Sequence, residues 1–407
     1  MRRVVITGMG TVNPLGNNVE AFKEAMFAGK NGIGVITKFD VTDSKYKVAG
    51  EVKDFDAVAI FGKKAVRTTD MFTLYALAAA REAMEQSGIK GTLETDRIGV
   101  VFGSGVGGID TLCTDHQNLL EKGPRKVSPH FVPKMIYNIA AGSIAIEQEA
   151  NGPCIAVSTA CATGTTAVGE GYRTILHGYA DAMICGGAEA AINALCVAGF
   201  GNCQALSADP DPETACRPFD NDRSGFIMAE GAGVLVLEEY EHAVARGAKI
   251  LAEVTGYGST CDAHHITAPD PAATYVAKAI KDAMPADVTD LSKVYVNAHG
   301  TSTKLNDATE TTALKLAFGE DAKKLHISST KSMTGHMLGA TGAVECIACV
   351  LALQNDTVPP TIHYTTPDPE LDLDYTPNQA VKTPLEVALC SNLGFGGHNA
   401  AVSFKKI

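Results

Sequence analysis

Short β-branched runs alternate along this chain with Ala-rich stretches whose apolar residues recur at helical spacing. Val4-Val5-Ile6-Thr7 predicts a first strand, and Asp70 to Ser87 a helix with Leu74, Leu77, Ala78 and Met84 in register. Ile98 to Phe102 predicts a buried strand that ends in the glycine run Gly103-Ser104-Gly105-Val106-Gly107-Gly108. Cys161 to Gly178 reads as a helix stopped by glycine. Further strands are expected at Ala182 to Cys185, Gly233 to Glu238, Ile250 to Gly258, Val294 to Asn297, His326 to Ser328, Val387 to Ser391 and Ala400 to Phe404. Gly342 to Leu353 is an apolar helix. Strands alternating with helices predict a layered α/β fold. No Pro/Ser-rich linker and no clear sequence repeat divides the chain, but a weak break separates residues 1–250 from 251–407.

Composition narrows the function classes. At 407 residues, with 45% hydrophobic and 20% charged residues, the chain is neither disordered nor fibrous. Its 34 Lys+Arg against 46 Asp+Glu leave a net charge of −12, which excludes a general nucleic-acid binder but not a local basic patch for an acidic partner. Eleven scattered cysteines, an odd number, predict a reduced cytoplasmic protein in which one thiol can be catalytic. Met1-Arg2-Arg3 runs directly into a strand pattern, and Gly8 and Gly10 interrupt any signal-peptide core. No apolar run reaches about 18 residues without a charge, so no membrane helix is expected.

Four segments carry chemistry. In Ser158-Thr159-Ala160-Cys161-Ala162-Thr163-Gly164, small residues flank a cysteine at a helix start, where free N–H groups and the helix dipole would lower a thiol pKa and hold an oxyanion. In Asn297-Ala298-His299-Gly300-Thr301-Ser302-Thr303, a histidine follows a strand into a loop of small hydroxylated residues. Ser329-Thr330-Lys331-Ser332-Met333-Thr334-Gly335-His336 sets a lysine and a histidine before a helix carrying Glu345. A carboxylate amid Ala, Val, Cys and Ile calls for a buried partner, and Lys331 is the candidate. In Ser391-Asn392-Leu393-Gly394-Phe395-Gly396-Gly397-His398-Asn399, glycines surround one phenylalanine. One cysteine and two histidines on separate loops suggest thioester chemistry, with the thiol taking an acyl group and the imidazoles holding an enolate. Cys346-x-x-Cys349 lies inside an apolar helix without a second pair and reads as core, not as a metal site.

Together these segments resemble the elongating β-ketoacyl-acyl carrier protein synthases, closest to the synthase II type. The resemblance spans the whole chain and includes Arg3-Val4-Val5-Ile6-Thr7-Gly8-Met9-Gly10, Pro14-Leu15-Gly16, Arg217-Pro218-Phe219-Asp220 and Gly225-Phe226-Ile227-Met228-Ala229-Glu230-Gly231. It implies the thiolase fold, two similar βαβαβαββ halves in five αβαβα layers, and a homodimer working with acyl carrier protein. It implies that Cys161 is the nucleophile and that His299 and His336 assist malonyl decarboxylation. Backbone N–H groups of Cys161 and Phe395 would form the oxyanion hole, with Phe395 as a gate. Lys331 paired with Glu345 would tune the field, Thr301 and Thr303 would hold the pantetheine arm, and Val106 would line the acyl pocket. Neither ATP nor a redox cofactor is required; a structural monovalent cation or Mg near Asn297, Glu345, Ser391 and Asn392 is allowed.

The match has departures. Lys304 stands where the loop commonly has proline, Leu393 where the gate segment commonly has an aromatic residue, and Gln204 and Thr68 where relatives carry basic residues. Carrier docking would then rest on Lys63, Lys64, Arg67, Arg125 and Lys126. Two rivals remain at this level. Gly103-x-Gly105-x-x-Gly108 after a strand fits a dinucleotide fingerprint and hence an oxidoreductase. A ketosynthase of a type II polyketide pathway would share the chemistry and differ in product.

Overall fold

The computed structural model describes residues 2–407. Its centre is one ten-stranded sheet. The strands are β1 (Val4–Val12), β2 (Ile98–Gly103), β3 (Cys154–Val157), β4 (Ala182–Glu189), β5 (Gly231–Glu239), β6 (Ala252–Cys261), β7 (Val294–Asn297), β8 (His326–Ser328), β9 (Val387–Gly394) and β10 (His398–Lys405). The first half runs β3-β2-β4-β5-β1 and the second β8-β7-β9-β10-β6, so the same strand order occurs twice. In each half the fifth strand, β5 or β10, is antiparallel to its neighbours. The halves join where Val4, Val5 and Ile6 of β1 pair antiparallel with Val254, Glu253 and Ala252 of β6.

Helices make the other layers. α1 (Met71–Ser87) and α2 (Ile139–Gln148) cover the outer face of the first half. α3 (Thr163–Leu176) and α6 (Thr341–Asn355) lie between the halves and touch strands of both. α4 (Thr274–Ala283), with α5 (Lys304–Phe318) beside it, covers the outer face of the second half. This is the αβαβα arrangement of the thiolase fold. α6 is buried from Thr341 to Leu353, as expected of a central layer. The segment Leu338–Asn355 is long and apolar enough to cross a membrane, but 89% of it is buried inside the fold.

The layers pack closely because the sequence supplies small residues at the contacts. β1 runs five residues past the predicted Thr7, through Gly8 and Gly10, to Val12. A Cβ at Gly8 would lie 2.0 Å from the Ala83 carbonyl oxygen, and one at Gly10 2.0 Å from that of Ala79. These two glycines are what lets α1 rest on the strand. α1 starts with Asp70 accepting from the Phe72 N–H and ends at Gly88 in the left-handed region. At the centre, a Cβ on Gly164 of α3 would meet the Ala343 nitrogen of α6 at 2.4 Å, so these two helices nearly touch beside the nucleophile segment.

The parallel strands position the chemistry. The carboxyl ends of β2, β3, β4, β7, β8 and β9 lead into the glycine run, Cys161, the residues after Glu189, His299, Lys331 and the Phe395 loop. Loops at strand carboxyl ends are where an α/β fold holds its ligands.

Candidate active site

Cys161 sits in a 3₁₀ turn, Ala160–Ala162, immediately before α3. The turn is held by Ala162 N–H to the Thr159 carbonyl at 3.1 Å and by Thr163 Oγ1, which donates to the Ala160 carbonyl at 2.7 Å. Ala160 adopts a left-handed φ of +50°, a strained geometry for a residue with a side chain. The N–H groups of Phe395 and of Cys161 itself both reach the thiol and favour its charged form. Two backbone donors therefore converge on the reacting atom.

The acidity of this thiol corrects the sequence expectation. Burial is the largest influence and pushes the Cys161 thiol up to about 12; Lys331 and the two N–H groups pull it down without cancelling that effect. The resting thiol is neutral, and the charged form needs a proton acceptor at the moment of reaction.

Both histidines are neutral as well. His299 and His336 are held well below the ordinary imidazole pKa, first by burial and then by the Lys331 charge. Their rings meet edge to face with centroids 5.4 Å apart. Asn392 Nδ2 donates to Glu345 Oε2 at 2.7 Å and lies 3.1 Å from His299 Nδ1. His299 Nδ1 is thus an acceptor, and the ring proton sits on Nε2. His299 N–H and Gly300 N–H donate to the two oxygens of Glu310 at 2.7 and 2.8 Å, which fixes the loop. His336 Nδ1 lies 3.0 Å from Thr341 Oγ1, and its ring packs edge to face on Phe226 at 5.0 Å.

Lys331 and Glu345 form the expected pair, Nζ to Oε1 at 2.6 Å, with both side chains buried. Burial raises the Glu345 carboxyl to about 8 against the opposing pull of Lys331. The lysine thereby places one positive charge among Cys161, His299 and His336, all of which feel it.

A cavity of about 340 Å³ opens onto these groups. Cys161, His299, His336, Thr301, Thr303, Leu393 and Phe395 line it, as do the departures Gln204 and Lys304. Thr301 Oγ1 and Thr303 Oγ1 lie 3.0 Å apart, and Thr303 also caps α5. Phe395 is half-buried and flanked by Gly396 and Gly397 at φ +91° and +78°. Val106 lies outside that lining and joins Cys161, Leu338, Phe200 and Phe226 in an apolar cluster behind the nucleophile. The cations expected from the sequence to dock a carrier are all exposed and sit on two elements: Lys63, Lys64 and Arg67 on the helix Ala57–Thr68, Arg125 and Lys126 on the turn Pro124–Lys126.

The residues named for a cation cluster around β9. Asn297 pairs with Cys390 across β7 and β9, and Ser391 and Asn392 follow it. Asn297 Oδ1 is buried without a partner, but both Glu345 oxygens and Asn392 Oδ1 already accept hydrogen bonds. Among the described residues no group of three or more His, Cys, Asp or Glu could hold a metal ion. The donor set fits a hydrogen-bonded network better than the six or so oxygens of a hard-cation shell.

The dinucleotide reading fails on geometry. The N–H groups of Gly105 and Val106, which would cradle a pyrophosphate, instead donate to the buried Glu189 carboxylate at 2.7 and 3.1 Å. Anionic phosphate cannot displace a fixed internal carboxylate cheaply. The sequence reading missed Glu189, Glu310 and the link from Asn392 to His299. The available signals were an acidic residue closing an apolar strand and Asp307 and Glu310 one turn apart at the start of α5.

Comparison with known proteins agrees with this arrangement. Residues 1–243 match the family model for the N-terminal domain of beta-ketoacyl synthase, and residues 251–365 the model for its C-terminal domain. The 3-oxoacyl-[acyl-carrier-protein] synthase 2 of Staphylococcus aureus (strain COL) is 50% identical over 407 residues, covering 100% of this chain and 98% of the relative. The protein of the same name from Synechocystis sp. is 48% identical over 413 residues, with 100% and 98% covered. Among solved structures, a beta-ketoacyl synthase from Burkholderia phymatum STM815 superposes with a TM-score of 0.91 at 35% identity, both chains covered in full. A type II PKS ketosynthase structure, in complex with its acyl-carrier protein and bound to the hexaketide, gives 0.90 at 33%, covering 100% of this chain and 99% of that one. With both family models matched in sequence and the site residues gathered in one cavity, this chain belongs to the beta-ketoacyl synthase family.

Proposed function

We propose that this enzyme is a condensing acyltransferase of type II fatty acid synthesis, a 3-oxoacyl-[acyl-carrier-protein] synthase of the second kind. It joins malonyl-acyl carrier protein to a Cys161-bound acyl chain, giving 3-oxoacyl-acyl carrier protein and carbon dioxide. The observation that carries the reading is one thiol, two neutral imidazoles and two convergent N–H donors at the end of one cavity.

The chemistry follows from those groups. Cys161 sulfur attacks the acyl thioester, the N–H groups of Cys161 and Phe395 hold the oxyanion, and the carrier thiol leaves with the proton. Malonyl-carrier protein then enters past Phe395, with Thr301 and Thr303 bonding its pantetheine arm. The C–C bond to the carboxylate breaks, and its electron pair moves into an enolate whose oxygen takes hydrogen bonds from His299 Nε2–H and His336. The enolate carbon attacks the Cys161 thioester, and collapse expels the Cys161 thiolate, which takes a proton from solvent to restore the thiol. Lys331 stabilises each negative charge in turn, and Glu345 holds it in place. Loss of carbon dioxide drives the sequence, so no ATP or redox cofactor is invoked.

Other features of the reading are proposals of the same kind. Exposed Lys63, Lys64, Arg67, Arg125 and Lys126 would dock acidic acyl carrier protein. The chain divides into halves near residue 250, each with one turn of the repeated strand order. The free edge of β3, with Ile155 half exposed and the neighbouring helix α2 presenting exposed Ile146, suits pairing with a second copy as a homodimer. Eleven free cysteines suit a reducing cytoplasm. A type II polyketide ketosynthase is the second reading, favoured only by structural neighbours at lower identity.

His336→Ala tests the division of labour. The variant should still take an acyl group onto Cys161, seen as a mass gain, while malonyl decarboxylation is lost. Loss of acylation in a folded His336→Ala protein would refute it.

A further inference from the structure

Glu189 closes β4 with no exposed surface. Among the described residues no cation lies within ion-pair distance of it; burial pushes its carboxyl up to about 7, and four hydrogen bonds oppose that rise by favouring the charged form. Oε1 accepts from Ser104 Oγ at 2.8 Å and from Val106 N–H at 3.1 Å. Oε2 accepts from Gly105 N–H at 2.7 Å and from Gly339 N–H at 3.0 Å. Ser104 Oγ in turn accepts from Gly107 N–H at 2.8 Å. Three of the four donors thus belong to the glycine run after β2. The fourth belongs to the turn Leu338–Ala340, between His336 and α6.

The carboxylate therefore sits at a seam. The two segments touch directly, since a Cβ on Gly339 would lie 2.2 Å from the Gly105 nitrogen. Each sends one apolar side chain, Val106 or Leu338, into the cluster that holds Cys161. An acyl chain on Cys161 must lie against that cluster.

We infer that Glu189 is a positioning residue for the condensation: its carboxylate ties the Val106 and Leu338 walls of the acyl pocket together and so sets which chains Cys161 accepts. The inference rests on the condensing reading above. A carboxylate is the fitting group because it accepts on both oxygens and donates on neither. An amide of the same shape offers one oxygen: with its NH2 toward Ser104, whose hydroxyl can accept, the Val106 N–H loses its acceptor, and with its NH2 on the other side the Gly105 and Gly339 N–H groups lose theirs. One wall must move away, and the pocket widens.

The test is Glu189→Gln in the full-length protein, with short-chain and long-chain acyl-carrier proteins and intact-mass detection of acyl-Cys161. The ratio of long-chain to short-chain acylation rates should rise by about tenfold, the loss of one or two buried hydrogen bonds; the ratio cancels the change that removing the Glu189 charge makes to Cys161 at every chain length. An unchanged or lower ratio in the folded variant, or equal slowing at every chain length, would overturn the inference. Ser104→Ala removes one donor and keeps the carboxylate, so it should raise the ratio by less. If Glu189→Gln does not fold, an unchanged ratio in Ser104→Ala overturns the inference by itself. Wild-type protein that accepts no acyl group from any donor would overturn the condensing reading instead.

Discussion

Gly394→Ala should separate the oxyanion hole from the rest of the site. Gly394 precedes Phe395 at the end of β9, and its Cα faces the nucleophile turn. A Cβ there would lie 2.4 Å from the Thr159 carbonyl oxygen and 3.3 Å from the Cys161 and Ala162 nitrogens. Ordinary contact begins near 3.4 Å, so the strand end must retreat by about 1 Å. That retreat carries the Phe395 N–H away from the Cys161 sulfur while leaving the thiol, both histidines and Lys331 in place. Loss of one oxyanion donor costs about 10²–10³ in rate. Overpacking at a tight contact costs about 1–3 kcal/mol in stability. Rapid-quench acylation of Cys161 from acyl-carrier protein, with a thermal melt alongside, should therefore show a rate drop of about that size in a protein that still folds. The KM for the carrier should hardly move, because docking lies elsewhere. A variant that acylates at the wild-type rate would show that the Phe395 N–H stabilises nothing at this step.

Two further expectations concern charge. Both imidazoles are held neutral, so malonyl decarboxylation should stay level as pH falls from about 8 to about 6.5 and decline only in more acid solution, as protonation removes the neutral rings. Lys331→Met removes the positive charge that lowers both imidazoles, so the acid limb of the profile should move toward neutrality; a profile at the wild-type position would contradict the field assigned to Lys331. Unfolding should follow the same sign: histidines with lowered folded pKa values lose stability as pH drops below about 6.5, where the unfolded chain binds the protons. At the surface, Lys64→Glu with Arg67→Glu should raise the KM for acyl-carrier protein several-fold at low salt and leave a small thioester donor unaffected. An unchanged carrier KM would remove the helix Ala57–Thr68 from the docking surface.

Much of this arrangement was legible in the sequence because strand and helix patterns are local. The predicted strands recur in the fold, most with longer bounds, and three of the four motifs lie at their carboxyl ends; the strand before Cys161, Cys154–Val157, was not predicted. The Lys331–Glu345 pair was legible too, since a carboxylate in an apolar helix leaves few alternatives. Long-range packing was not. The extension of β1 through Gly8 and Gly10 depends on α1, some 70 residues away, pressing its backbone onto the strand. The acidity of Cys161 reversed for a similar reason: the helix terminus was visible, but the burial that outweighs it was not. The repeated strand order leaves no clear mark because the two halves share topology rather than residues. Glu189 and Glu310 escaped notice because their function is to hold backbone N–H groups, which no motif spells out.

The net charge of −12 acquires a meaning here. An acidic enzyme repels an acidic carrier at long range, so the proposed docking calls for a local cluster of exposed cations that are not neutralised by neighbours. Lys63, Lys64, Arg67, Arg125 and Lys126 make none of the ion pairs found among the described residues.

The central claim is that carbon–carbon bond formation passes through Cys161. The direct measurement is incubation with acyl- and malonyl-carrier protein, followed by intact-mass analysis of both protein and carrier. Wild-type enzyme should show acyl-Cys161 first, then 3-oxoacyl-carrier protein two carbons longer, with carbon dioxide released. Cys161→Ala should show neither the acyl-enzyme nor the extended product. An extended product from Cys161→Ala would contradict the mechanism.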